Sequence, residues 1–287
     1  MRNVYQEVTD RIVAELEKGA APWIKPWRTD SSADRNFISG KPYRGINRLL
    51  LGMQGRASPH WATFKQWQEK GGKVRKGEKA AHIVFFKPVA SIKETEDGAE
   101  LTGKGYCVIR DYCVFNAEQV DGVEIPEPAG ESVPEIVRHD RAEFTLQKSG
   151  ARIEYSGDAA FFAPSKDFIR MPKPETFVSM AHYYAVAFHE LTHWTGHKSR
   201  LDRDLEKGKF GNPAYAFEEL VAEMGAAFLC ADHGIQGELR HAAYIQSWLK
   251  ACRENDRAVF KAAALAQAAS DYILQLAQAA EGERIAA

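Results

Sequence analysis

His189-Glu190-Leu191-Thr192-His193 is the stretch on which the reading of this 287-residue chain turns. On an α-helix, residues four apart lie on one face, so both imidazoles can reach the same metal ion. Glu190 sits at the edge of that face. There it can hydrogen-bond the metal's water without coordinating the metal, which is the place of the general base in a metallopeptidase. Residues 181–195 contain no Gly or Pro, and Gly196 follows as a helix stop.

A catalytic zinc takes three protein ligands and leaves one position open. The run continues as HExxHxxG, but the place of a metzincin's third histidine is Ser199, and His197 falls two residues early. The other source is a carboxylate on a later helix, the gluzincin arrangement. Residues 213–233 read as such a helix, with Asn212 as cap, Pro213 in the first turn and Gly234 as the stop. Glu219 and Glu223 share a face with Ala222 and Ala226, small residues that let this helix press on the metal helix. Glu219 is therefore the expected third ligand, and Glu223 the partner orienting a ligand histidine. Glu218 is the alternative ligand. The expected ion is zinc, with another divalent metal as the alternative. Stabilisation of an oxyanion is expected from His182, Tyr183 or Tyr184, on or near the same side of the helix.

The net charge of −1 conceals an asymmetry. From Arg35 to Ala90, 12 Lys and Arg stand against 2 Asp and Glu; from Pro126 onward the balance is 18 against 23. The four cysteines, Cys107, Cys113, Cys230 and Cys252, show no CxxC spacing and are expected to be buried, reduced thiols. Neither an apolar signal core nor an apolar run long enough to span a bilayer is present, so a cytoplasmic location is expected.

The segment from Asp121 to Pro134 holds three prolines, two glycines and four acidic residues, the composition of an exposed linker. The expected fold class is α+β in two domains. Residues 1–122 form the first, 123–134 the linker, and 135–287 a mainly helical domain with a small sheet. In the first, Val4, Val8, Ile12, Val13 and Leu16 make an amphipathic helix ended by Gly19, with further helices at 46–53 and 62–70 and strands at 79–88 and 105–114. In the second, a helix at 134–150 precedes strands at 152–155, 160–162 and 167–171. Helices at 238–252 and 256–279 follow the two metal-site helices. An edge strand just before the metal helix would hold an extended peptide.

The basic stretch interleaves cations with aromatics, the pairing that sequence-tolerant binding of single-stranded DNA needs. The expected contacts are Trp23, Lys25, Trp27, Lys41, Tyr43, Arg44, Arg48, Trp61, Lys65, Trp67, Lys73, Arg75, Lys76 and Lys79. Composition alone does not separate single strands from duplex.

These residues carry a resemblance. Pro-Trp-Ile-Lys-Pro-Trp (22–27), Ser39 to Leu51, Trp61-Ala-Thr-Phe-Lys-Gln-Trp67, Gly71 to Glu78 and Tyr112 to Val120 resemble ArdC-type antirestriction proteins and the N-terminal domain of TraC primases of conjugative plasmids. Phe188 to His197 and Glu218 to Phe228 extend the likeness over nearly the whole chain. The resemblance implies an N-terminal domain that binds single-stranded DNA, a C-terminal zincin-like metallopeptidase domain, and protection of incoming plasmid DNA from the recipient's restriction enzymes. It supports His189, His193 and Glu219 as ligands and Glu190 as the catalytic residue. A protein substrate would be a restriction or regulatory protein. The alternative reading is a non-catalytic protein that coats single strands and keeps its metal for structure or regulation.

Overall fold

The computed structural model describes residues 3–18, 33–89, 92–95, 98–101, 106–125, 135–203, 205, 213–235 and 245–286. Helix α1 (Val4–Glu17) starts where the Asn3 side chain accepts a hydrogen bond from the Gln6 amide, and it buries Val8, Ile12 and Leu16 at helical spacing. Gly19, the expected stop, lies outside the described residues, as do Trp23, Lys25 and Trp27 and most of the expected linker. Strand β1 (Arg35–Asn36), helix α2 (Ile46–Gly52), strand β2 (His60–Ala62) and helix α3 (Phe64–Glu69) follow. Thr63 and Gln66 form a reciprocal capping box, which is why α3 begins after Ala62 and not at it.

Short β3 (Lys73–Val74) precedes the long strand β4 (Ala81–Val89). The pair β5 (Ile92–Thr95) and β6 (Gly98–Leu101) leads into β7 (Tyr106–Asn116), and β8 (Val120–Asp121) closes back on β3. One sheet runs β1-β2-β7-β4, and β4 pairs antiparallel with β7 from Ala81↔Val114 to Val89↔Tyr106. Side chains alternate across this ribbon. Ala81 and Val114 join Leu51 and Trp61 on one side, while Val84 reaches the larger core on the other.

The second half opens with α4 (Glu135–Lys148). Strands β9 (Ile153–Tyr155), β10 (Phe161–Ala163) and β11 (Phe168–Met171) form a sheet ordered β10-β11-β9. Thus the strand nearest the metal helix in sequence, β11, is central, and the edge falls to β10. That corrects the expectation of an edge strand just before the helix. Helices α5 (Met180–Thr195), α6 (Pro213–Asp232), α7 (Ile245–Glu254) and α8 (Ala258–Ala286) complete the chain. The architecture is α+β and two-part, as expected. No helix among the described residues is long and apolar enough to cross a membrane.

The larger core joins the two halves. Val8, Ile12 and Leu16 of α1 and Leu49 and Leu50 of α2 pack in one cluster with Leu220, Met224, Trp248, Leu249, Val259 and Ala263 of α6 to α8. A second cluster, around Tyr183, Phe188, Leu191, Leu229 and Ile273, lies within the C-terminal half. Cys230 and Cys252 are buried thiols, and burial pushes them up to about 12 and about 11 respectively. Cys113 is exposed, on the face of the ribbon opposite buried Val114, and this corrects the expectation for that residue.

Candidate metal site and nucleic-acid surface

Helix α5 starts at Ser179, whose side chain accepts from the His182 amide, and it ends at Gly196. Gly196 is required here for room: a β-carbon there would stand 2.9 Å from both the Arg203 guanidinium and the Leu205 side chain. Along α5, His189 and His193 face α6. The two helices also approach closely at Gly225, where a β-carbon would stand 2.6 Å from the Thr192 side chain. This crossing brings Glu219 to the two imidazoles.

The three ligand atoms all lie within 4.8 Å of one another. His189 Nε2 is 3.1 Å from His193 Nε2, and Glu219 places Oε2 3.5 Å from the former and Oε1 3.5 Å from the latter. Ligands at about 2.0–2.1 Å from a tetrahedral ion stand about 3.3 Å apart, so the spacing of these three side chains suits a divalent metal. Each opposite ring nitrogen faces a carboxylate, that of His193 within hydrogen-bond reach and that of His189 just beyond it. Glu218 Oε1 lies 3.2 Å from His193 Nδ1, and Glu223 Oε1 lies 3.6 Å from His189 Nδ1. Carboxylates in those positions fix tautomer and ring orientation. Glu218, the alternative ligand from the sequence, is turned away from the triangle and is clamped by Arg203, with Nη2 at 2.9 Å and Nε at 3.1 Å. Arg203 is itself tied to the end of α5 through the Thr195 hydroxyl at 2.8 Å and the Thr192 carbonyl at 2.6 Å.

Electrostatics follow from this arrangement. Burial opposes the His193 imidazolium, but hydrogen bonds to Glu218 and Glu219 outweigh it and push it up to about 10. Burial likewise opposes the Glu219 carboxylate, and the contacts with His189 and His193 outweigh it and hold it well below the usual range. Glu190 is buried beside them and lines a cleft of about 380 Å³. That cleft is walled by β10 through Phe161 and Phe162, by His189 and His193, and by Tyr215 and Glu219 of α6.

The expected oxyanion donors lie elsewhere. None of His182, Tyr183 and Tyr184 lines the cleft. His182 is two turns from His189 and rings against Phe177. The Tyr183 hydroxyl shares a 2.7 Å hydrogen bond with that of Tyr155, and Tyr184 donates to Glu143 at 3.4 Å. Burial first, and these partners with it, raise both phenols. The phenol at the cleft is that of Tyr215, one turn before Glu219.

Comparison with known proteins agrees with this geometry. The family described as the N-terminal domain of anti-restriction factor ArdC matches residues 2–115, and a zincin-like metallopeptidase family matches residues 140–265. Crystal structures of the antirestriction protein ArdC from plasmid R388, metal-free and Mn(II)-bound, superpose with TM-scores of 0.80 and 0.78. Each has 39% identity and covers 96% of this chain and 98% of that one. The chain belongs to the ArdC antirestriction family. An uncharacterized protein of Sinorhizobium fredii, y4eC, is 40% identical over 94% of this chain and 91% of its own length. DNA primase TraC of Escherichia coli is 39% identical over 96% of this chain, which spans only 20% of that protein.

In this ArdC-family chain the candidate DNA contacts separate into three groups. Trp61 and Trp67 are fully buried, their indole nitrogens donating to Asp34 Oδ1 and to the Phe115 carbonyl, each at 3.0 Å. They are core, which corrects their assignment as stacking platforms. Tyr43 packs against the same core, where burial raises its pKa. Arg48 is held by Asp232 at 2.8 Å and lies over the Phe228 ring, and Arg44 is paired with Asp271. Arg75 is paired with Glu78 at 2.9 Å and Asp121 at 3.3 Å. Lys41, Lys65, Lys73, Lys76 and Lys79 are exposed.

The exposed aromatics are others. Phe85 (56% exposed) and Tyr112 (40% exposed) meet edge-to-face on one side of the β4–β7 ribbon, with exposed Arg110 directly opposite Phe85. Period-two alternation does not single them out, because Phe85 and Tyr112 lie on the same face of the ribbon as buried Ala81 and Val114; the two rings fall further along the ribbon from that cluster.

Proposed function

We propose that this chain binds single-stranded DNA, protects incoming plasmid DNA during conjugation, and carries a gluzincin-type zinc peptidase site in its C-terminal half. The observation that supports the peptidase reading is the His189–His193–Glu219 triangle at the wall of a cleft that also holds Glu190. Three protein ligands leave the fourth position to water or substrate, whereas a structural zinc closes all four.

His189, His193 and Glu219 hold the ion, and Glu218 and Glu223 orient the two imidazoles. When bound, the ion supplies Lewis-acid activation of water and of a peptide carbonyl. Glu190 accepts the water's proton and returns it to the leaving amine. Edge strand β10, which walls the cleft, binds an extended peptide by main-chain hydrogen bonds. Tyr215 supplies the hydrogen bond to the developing oxyanion, a contact whose loss costs about 10²–10³ in kcat.

The DNA reading is supported by the Phe85–Tyr112–Arg110 face and by the exposed lysines of the same half, since stacking rings with cations suit single strands irrespective of sequence. Two measurements on the full-length protein test these assignments. Metal analysis and hydrolysis of an unstructured protein such as casein should show that Glu190→Gln keeps its ion and loses cleavage. Anisotropy of a fluorescent dT20 should show binding that weakens steeply with salt. A wild-type protein loaded with zinc that cleaves nothing returns the site to a structural or regulatory role. Equal preference for duplex at every salt concentration sinks the single-strand assignment.

A further inference from the structure

A second cleft, of about 640 Å³, lies where α1, α2 and the β4 strand meet α8. It is distinct from the metal cleft and shares no lining residue with it. Its floor is a stripe that starts at Arg257, just before α8, and continues along the helix through Lys261 and Ala264 to Ala268 and Asp271, at intervals of three and four residues. That stripe spans about 20 Å at 1.5 Å per residue. The backbone of the opposite wall comes close at Gly45, where a β-carbon would stand 3.8 Å from the Ala263 carbonyl.

The chemistry of the lining is specific. Phe86 stands at the rim, 40% exposed, with its ring edge-on to Phe260 at 6.1 Å; Tyr5 meets Phe260 from the other side at 4.8 Å. Arg257 lies over the Tyr5 ring at 4.9 Å and Lys261 over the Phe217 ring at 5.5 Å. Neither cation forms an ion pair among the described residues, and both are exposed. The one carboxylate in the lining, Asp271, is already matched by Arg44 across the cleft. Two uncompensated cations one turn apart, beside an open aromatic ring, therefore face this cleft from a half of the chain that is acidic overall.

We propose that this cleft binds a segment of single-stranded nucleic acid, with phosphates at Arg257 and Lys261 and a base on Phe86. The inference rests on the single-strand reading given above and extends the strand's path from the β4–β7 ribbon onto α8. Two features favour this occupant. An acidic peptide would satisfy the cations but leave the Phe86 ring in water. A duplex, with its phosphates held on a rigid cylinder, cannot place a base face on a ring inside a groove of this size. A single strand satisfies both the charge and the ring.

The test uses full-length protein loaded with zinc and the dT20 probe over a series of NaCl concentrations. The double variant Arg257→Glu/Lys261→Glu should bind at least about 10-fold more weakly. Its salt slope should be shallower by about 1.4, because each lost phosphate contact on a single strand removes about 0.7. Phe86→Ala should weaken binding by about 5- to 100-fold, the range for one lost stacking contact. Zinc content should be unchanged in all of them. The milder pair Arg257→Gln/Lys261→Gln, expected to lose about half the slope change or more, serves if the reversals compromise folding. Wild-type affinity and slope in these variants overturn the cleft assignment and leave the single-strand reading in place. A wild-type protein that does not bind dT20 overturns both. A dimer in sedimentation that Phe86→Ala dissolves, with dT20 affinity intact, gives the cleft to a second copy of the chain and overturns the proposal.

Discussion

Gly225 of α6 and Thr192 of α5 are in contact where the two metal-site helices cross, and a β-carbon on the glycine would stand 2.6 Å from Thr192 Cγ2 and 2.7 Å from its hydroxyl. Thr192 has no freedom to retreat: it is fully buried and its hydroxyl donates to the Phe188 carbonyl at 2.7 Å. Gly225→Ala should therefore push the helices apart and cost about 1–3 kcal/mol, despite the better helix propensity of alanine. Thermal unfolding checks this. The double change Gly225→Ala/Thr192→Ala should be less destabilised than the two single effects added, since the shared contact is then removed.

Glu218 holds the back of His193 while Arg203 holds Glu218, which gives this carboxylate a place behind a metal-site histidine and not in the triangle itself. Glu218→Gln and Glu223→Gln should each lower metal affinity by about 10–100-fold, as expected when a carboxylate behind a ligand histidine is lost. Glu219→Ala should lower it further. Calorimetric titration with Zn²⁺ ranks the three; equal effects of all three would deny Glu219 its separate standing.

The buried and exposed aromatics of the N-terminal half make opposite predictions. Trp67→Ala should cost about 3–5 kcal/mol of stability, the usual result of emptying a large core site. Phe85→Ala and Tyr112→Ala should leave the melting temperature close to wild type and each cost about 1–3 kcal/mol in dT20 binding. Melting curves and anisotropy on the same samples separate the two classes.

His233 gives a pH dependence. Its Nε2 is 2.8 Å from the Thr145 hydroxyl and its Nδ1 is 2.7 Å from the Leu229 carbonyl, with the ring against Phe188. Burial lowers its pKa below the ordinary value, outweighing the Leu229 hydrogen bond and Asp232, which act the other way. The unfolded chain thus takes up this proton first as pH falls. The residue's contribution to stability is present above about pH 6.5 and is lost as pH falls through the folded-state value. In His233→Gln, the loss of stability between pH 6.5 and 5 should be smaller by at most about 1.4 kcal/mol per pH unit. Denaturant unfolding at several pH values measures it.

The metal helices were legible because their signals are local. The spacing of His189 and His193, the unbroken run before them and the carboxylates of 213–233 all act within a few turns. Arg203 left no such trace: it lies outside any periodic segment, and its value arises only when a turn folds it back onto Thr192 and Thr195. Gly225 left a faint one, since a glycine inside an otherwise strong helix former needs a packing reason. In the basic half, charge and aromatic content pointed to a kind of surface but not to which of its rings are exposed. Trp61 and Trp67 carry the same chemistry as Phe85 and Tyr112, and only the direction of each strand and helix decides which rings meet water.

The seam between α1 and the C-terminal helices also bears on how the chain is made. Thr9 donates its hydroxyl hydrogen bond to the carbonyl of Asp256, 247 residues further on, and Val8, Ile12 and Leu16 bury against α7 and α8. At about 5–20 residues per second of synthesis, the first helix leaves the ribosome about 12–50 s before its partners exist. Through that interval its apolar stripe lacks the cover of α7 and α8. Removal of α7 and α8 should therefore be felt at α1, the element furthest from them in sequence.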